Sequence, residues 1–342
     1  MALLEHEALI DILVGCMFKY PSSSSIIGAA CDILSNISLD NFIRADICQR
    51  GGTGRIISSL QELSHDQSVV SKAFVSLSNL ISGADIEVLR GSEMAKNMLN
   101  AMSVHPENLN VQLRGADCAW NLSARHDCFK DEIVELGGAS IISTAMRRFL
   151  ASKEMQSKGF VAIWSLSVPR HLKQEVGLHA VVPVVNGLAA HSASEKICEE
   201  GLGALKSLST MASNKEIFEE NDAVDLIYSC MWLHSEDSNV QCASLAALSN
   251  LSVDVDNNRV QRIASDDLEA ICNAMRSHQS LKAVQESAII LLRNFTFSPS
   301  NCRIMQESPF LVGLIRSAMS TFNESFQGRA EDLLRVLPAN RQ

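Results

Sequence analysis

The stretch Asn239–Val253, NVQCASLAALSNLSV, does most to restrict what this chain can fold into, because seven further versions of it follow one another along the sequence. Val240, Leu245, Leu248 and Leu251 fall on one side of a helix, and Ser244 is a small spot among them. Asn250 sits mid-pattern, where helix propensity gives no reason for Asn. The positions matching Asn250 are Asn36, Asn79, Asn121, Ser165, Ser207, Asn294 and Val336. In chain order the eight are spaced by 43, 42, 44, 42, 43, 44 and 42 residues. Six residues before this anchor stand Ala30, Ala73, Gly115, Gly159, Gly201, Ser244, Ala288 and Ala330, all small. Apolar residues recur ten before it, two before it and one after it, as Val240, Leu248 and Leu251 do around Asn250. Gln stands nine before it in five repeats: Gln112, Gln156, Gln241, Gln285 and Gln327.

One helix per period therefore carries an apolar stripe at i, i+4, i+8 and i+11. The small residue lets a neighbouring helix come close. A single such unit cannot bury its stripe alone, so successive units must stack.

The pattern V-Q-x-x-A-x-x-x-L-x-N-L-S at about 42 residues resembles the third helix of the armadillo repeat, and the resemblance covers roughly residues 5–338. It implies an all-α right-handed superhelix, a solenoid of about eight repeats. Each repeat would have a short first helix, a second helix and this long third helix. The third helices would line a concave groove that binds an extended or helical segment of a partner protein.

A length of 342 residues would ordinarily suggest two or three domains, but the unbroken period points to one solenoid over 1–342. Residues 1–42 read as an N-terminal cap repeat. Residues 308–342 read as a C-terminal one, because Glu331 replaces the apolar residue found five before the anchor elsewhere. The net charge of −10 disfavours nucleic acid and anionic membrane as partners. No apolar run reaches a membrane span, and Glu5, Glu7 and Asp11 interrupt the N-terminus, so no signal peptide is read there. The cytoplasm or the nucleus is the expected location. The ten cysteines show no ligand spacing; Cys31, Cys118 and Cys198 read as small core residues. No catalytic or cofactor motif is present, so the chain reads as a non-enzyme without cofactor or metal.

Second helices are expected at Glu7–Tyr20, Arg55–Leu63, Glu93–Met102, Ala139–Phe149, Val181–Ala190, Ala223–Leu233, Asp267–Arg276 and Phe310–Phe322. The first helix of repeat one is expected to be missing or reduced to Met1–Leu4. Turn signals open the later repeats: Gly51-Gly52, Gly91-Ser92, Gly137-Gly138, Gly177, Asn221-Asp222, Ser265-Asp266 and Ser308-Pro309. Histidines recur sixteen before the anchor (His105, His191, His234, His278) and read as helix C-terminal residues meeting the last carbonyls rather than as a metal site.

The resemblance implies that Asn36, Asn79, Asn121, Asn250 and Asn294 project into the groove and bond a partner's main chain. The other reading is that they only tie adjacent repeats together. Seven before the anchor stand Lys72, Arg114 and Lys158, a ladder of cations that would bind an acidic extended segment at repeats two to four. Read instead as solvated charges, they leave Arg114 to pair with Asp117 three residues on. Importin-alpha proteins carry a Trp four before the anchor, and none stands there in this chain. Trp120 and Trp164 lie one before the anchor, on a different side of the helix, and complete the groove candidates. A protein-interaction scaffold is the reading. A nuclear-transport adaptor of importin-alpha type, disfavoured by the missing Trp array, and an interaction domain of a larger enzyme or ubiquitin-ligase assembly are its alternatives.

Overall fold

The computed structural model describes residues 2–253, 263–322 and 324–337. Among them the chain is built of α-helices and one 3-10 turn, with no strand. It divides into two compact units, Met1–Ala180 and Val181–Gln342. In the first, the third helices Ser24–Ile37, Gln67–Leu80, Leu109–Arg125 and Lys153–Leu166 pack side by side in chain order. In the second, Glu195–Leu208, Ser238–Leu251, Lys282–Phe295 and Glu324–Val336 do the same.

The register read from the period is the one the helices adopt. All eight small residues are buried, from Ala30 to Ala330. Their smallness serves the second helix of the same repeat. A Cβ added at Gly115 would lie 2.5 Å from Met102 Cγ, and one at Gly159 would lie 2.5 Å from Met146 Cγ. The recurrent Gln closes the same helix pair. Gln112 Nε2 donates to Met102 O (2.7 Å) and His105 O (3.0 Å), the last carbonyls of helix Met94–Val104 and its cap. Gln156, Gln241 and Gln285 repeat this on Met146 and Phe149, Met231 and His234, and Met275 and His278. A helix C-terminus leaves its last carbonyls without intrahelical donors, and one buried amide supplies two of them.

The turns also follow from residue chemistry. Asp40, Asp66 and Asp237 each accept two backbone N–H bonds as N-caps. In the pairs Gly51-Gly52 and Gly137-Gly138 the first glycine has φ of 79° and supplies the left-handed turn. The second is needed for space, since a Cβ there would meet Ile47 or Ile133 Cγ2 at 2.6 and 2.5 Å.

Several expectations are corrected. Gly91 closes helix Ile86–Gly91 and is not the left-handed residue; Glu93, φ 50°, is. Gly177 opens no second helix, because helix Lys173–Ala190 runs through it and through Pro183. A mid-helix Gly costs about 1 kcal/mol, which burial of Val176, Ala180, Val181, Val184 and Leu188 outweighs. Repeat one has no separate first helix among the described residues, in line with the first of the two readings given for it, and residues 2–4 begin helix Ala2–Lys19. Three of the four histidine rings bond outside their own helix ends. His105 Nε2 bonds Ser64 O (2.7 Å), His234 Nε2 bonds Ser192 O (2.6 Å) and His278 Nε2 bonds Ser235 O (2.9 Å), each on the turn of the preceding repeat. A carbonyl only accepts, so each Nε2 carries the proton. The tail 338–342 and the segment where a first helix of repeat seven would fall lie outside the described residues.

Candidate functional site

The candidate residues sit on third helices, whose buried stripe leaves the opposite face at the surface. The asparagines divide into three kinds. Asn79 Nδ2 donates to Ser35 O (3.0 Å) of the preceding third helix. Asn250 Nδ2 does the same to Lys206 O (3.2 Å) and Ser209 Oγ (3.1 Å), and Asn294 Nδ2 to Ser249 O (3.2 Å) and Ser252 Oγ (2.8 Å). These three therefore tie adjacent repeats, through the amide nitrogen. No donor among the described residues reaches their Oδ1. Asn121 Nδ2 bonds its own helix at Asp117 O (3.0 Å), and Asn36 is exposed. In repeat four, where Ser165 replaces the Asn, Ser123 Oγ of the preceding repeat donates to Ser165 Oγ at 2.8 Å and keeps the tie.

The cation ladder is not a row of like charges. Lys72 Nζ is 2.6 Å from Asp32 Oδ2, and Lys158 Nζ is paired with Asp117. In both pairs the position seven before the anchor meets the position four before the anchor in the preceding repeat. The pair expected between Arg114 and Asp117 is not formed, because Lys158 holds Asp117 across the repeat boundary. By the register of these two pairs, the position opposite Arg114 is held by Val75. Arg114 is half-buried and makes no ion pair among the described residues. Asp32 and Asp117 are thus site residues that sequence reasoning left out. The signal for them was present: an acid 40 or 41 residues before each lysine.

Trp120 is also corrected. It does not lie on a different side, because Lys158 Nζ stands over its ring, 5.4 Å from the centroid, while paired with Asp117. A cation over an indole face is attracted by the ring quadrupole, so Asp117, Trp120 and Lys158 form one surface cluster. Trp164, at the same position one repeat on, is 38% exposed, and Val168 beyond it is exposed too. Arg114, the Trp120–Lys158–Asp117 cluster and Trp164 therefore follow one another on two packed helices, Leu109–Arg125 and Lys153–Leu166. The cluster offers a hydrogen-bonding and apolar surface. Burial pushes the Cys31 thiol up to about 12 and raises that of Cys118 further. Among the described residues no cluster of His, Cys, Asp and Glu has the arrangement of a metal site, and no helix is long and apolar enough to cross a membrane.

Solved structures share this fold. A beta-catenin structure, from a study of a phosphorylation switch controlling the interaction between cadherin and beta-catenin, superposes with a TM-score of 0.81 at 21% identity. It covers 97% of this chain, which spans 61% of that one. A designed armadillo repeat protein in complex with the peptide (KR)4 matches with a TM-score of 0.59 at 17% identity, covering 71% of this chain and 99% of its own. A second designed armadillo repeat protein gives 0.58 at 18% identity, covering 67% and 94%. No curated protein matches the chain in sequence. The profile of the GAC ARM domain matches residues 18–288, most of the length, and with the helical repeats above it shows that this chain belongs to the GAC ARM domain family of armadillo-repeat proteins.

Proposed function

We propose that the chain is a non-catalytic protein-interaction scaffold whose third-helix surface at repeats two to four receives an extended acidic segment of a partner protein. The observation that carries this reading is Arg114. Its neighbours in the ladder, Lys72 and Lys158, are neutralised by Asp32 and Asp117, whereas Arg114 has Val75 at the opposite position by register and keeps its charge for an incoming carboxylate. A guanidinium binds a carboxylate through two parallel N–H bonds, which fixes orientation as well as affinity. Trp164, on the next helix, offers an apolar platform to a neighbouring side chain of the segment. The Oδ1 atom of Asn79, in repeat two, accepts from a main-chain N–H group of a bound segment without breaking the tie made by its Nδ2 atom.

The alternative of a basic-peptide adaptor has less support. The acids a cationic peptide would seek, Asp32 and Asp117, are already paired with Lys72 and Lys158. The designed protein bound to (KR)4 provides the contrast and the control.

The test is fluorescence anisotropy with a set of acidic peptides of varied sequence, and with (KR)4, against the full chain. Arg114→Glu is expected to weaken the acidic peptides at least about tenfold, which is 1.4 kcal/mol. The fourfold change Lys72→Gln, Asp32→Asn, Lys158→Gln and Asp117→Asn is expected to weaken them less, because it removes both members of each neutral pair and leaves the net charge unchanged. Tighter binding of (KR)4 than of every acidic peptide would overturn the reading in favour of the adaptor.

A further inference from the structure

In repeats three, four, six, seven and eight the position nine before the anchor is Gln. In repeat five it is Cys198, on helix Glu195–Leu208. The position twenty before the anchor in the following repeat is Cys230, on helix Ala223–Leu233; repeats three, four and seven hold Ala101, Ala145 and Ala274 there. The two departures meet. Cys198 Sγ and Cys230 Sγ are 3.8 Å apart, both side chains are fully buried, and both thiols are free. Cys198 Sγ also lies 3.1 Å from Ser192 O, the same carbonyl that His234 Nε2 bonds.

We propose that Cys198 and Cys230 are an oxidation site, converted by a small hydroperoxide into a disulfide that staples the third helix of repeat five to the second helix of repeat six. The closed interior sets the oxidant class, since hydrogen peroxide is close to water in size and bulky disulfide reagents are kept out. The Cys198 thiolate attacks one peroxide oxygen, the O–O bond breaks, and the departing hydroxide leaves as water with the Cys198 proton. Cys198 is then a sulfenic acid. The Cys230 sulfur attacks the Cys198 sulfur, the S–O bond breaks, and a second water leaves with the Cys230 proton. Two thiols and one peroxide give one disulfide and two waters. The order of the steps agrees with the environment. Contact with Cys230 and the His234 ring hold Cys198 below the usual thiol range against the opposing effect of burial, while the same contact and burial hold Cys230 above it.

The test treats the folded full chain with hydrogen peroxide, alkylates the remaining thiols and maps them by mass spectrometry after trypsin. Lys206 and Lys215 separate the two cysteines, and fragmentation distinguishes Cys230 from Cys242 on the second peptide. The expected result is a linked pair of peptides two hydrogens lighter than their sum. With it comes an upward shift in melting temperature that a thiol reductant reverses. Cys198→Gln and Cys230→Ala install residues that other repeats carry at these positions. Both are expected to fold as the parent does by circular dichroism and to lose both the link and the shift. The proposal fails if Cys198 and Cys230 are fully alkylated after peroxide has consumed the half-buried Cys16 and Cys242. It also fails if Cys198 accumulates as sulfinic acid with no link.

Discussion

Four residues among those described turn the chain with left-handed backbone, and two of them, Glu93 and Asp222, are not glycine. They stand where Gly51 and Gly137 stand in other repeats, at φ of 50° and 51°. An L side chain in this region costs about 1–2 kcal/mol, part of which glycine returns as unfolded-state entropy. Glu93→Gly and Asp222→Gly are each expected to raise stability by about 0.5–1 kcal/mol, read as a higher urea midpoint at unchanged slope. Gln241 runs the other way. Gln241→Ala removes the donor to Met231 O and His234 O in a buried site, and an unsatisfied buried carbonyl costs about 1–3 kcal/mol. The midpoint should fall accordingly. Asp66 ties residue chemistry to pH. Its hydrogen bond with Ser24 and those from the Val69 and Ser68 N–H groups hold its carboxyl below the usual range. A depressed folded value means that the stabilisation is complete above the unfolded value of about 3.9 and is lost as pH falls through the folded one. Asp66→Asn keeps an acceptor without the charge. The difference in denaturation midpoint between parent and variant is therefore expected to be constant near neutral pH and to shrink on acidification.

Among elements, the third helix of repeat six tests the register most sharply. Leu248 is fully buried in helix Ser238–Leu251. Leu248→Asp puts an unpaired carboxylate there and is expected to cost about 4 kcal/mol or more. The expected signature in thermal denaturation is loss of several repeats together, and an unchanged melting temperature would refute the register. That register was legible because it rests on composition at fixed positions: Ala30 to Ala330 are small, and the apolar stripe surrounds them. What stayed illegible depended on distances between repeats. Nothing in the sequence weighs Gly177 against the burial of the valines along its own helix, or says that Glu93 rather than Gly91 takes the left-handed turn. The Lys158–Asp117 pair spans 41 residues and competes with a pair three residues apart, and only stacking geometry decides for the longer one. The same geometry brings Trp120 beneath Lys158. The Asn alternatives were both legible, and the structure supplies the ties at Asn79, Asn250 and Asn294.

For the molecule as a whole, the net charge of −10 sets the kinetics of the proposed interaction. An acidic segment gains nothing from the long-range field, so its association is expected to remain in the unsteered range, about 10⁵–10⁶ M⁻¹s⁻¹. Added salt is then expected to act on dissociation, by screening the Arg114 contact. Stopped-flow measurements from low to physiological salt check this, and an association rate that falls steeply with salt would contradict it. The ties between neighbouring helices have a consequence for how such a chain arises. Gln112 and its counterparts, like Asn79, Asn250 and Asn294, donate to main-chain oxygens: Met102 O, His105 O, Ser35 O, Lys206 O and Ser249 O. Main-chain oxygens are present whatever the side chain. A duplicated or recombined segment carries its Gln bonds within itself and brings Asn donors whose main-chain acceptors any neighbouring third helix presents, while the added bonds to Ser209 Oγ and Ser252 Oγ and the Ser123–Ser165 tie still depend on the neighbour's side chains.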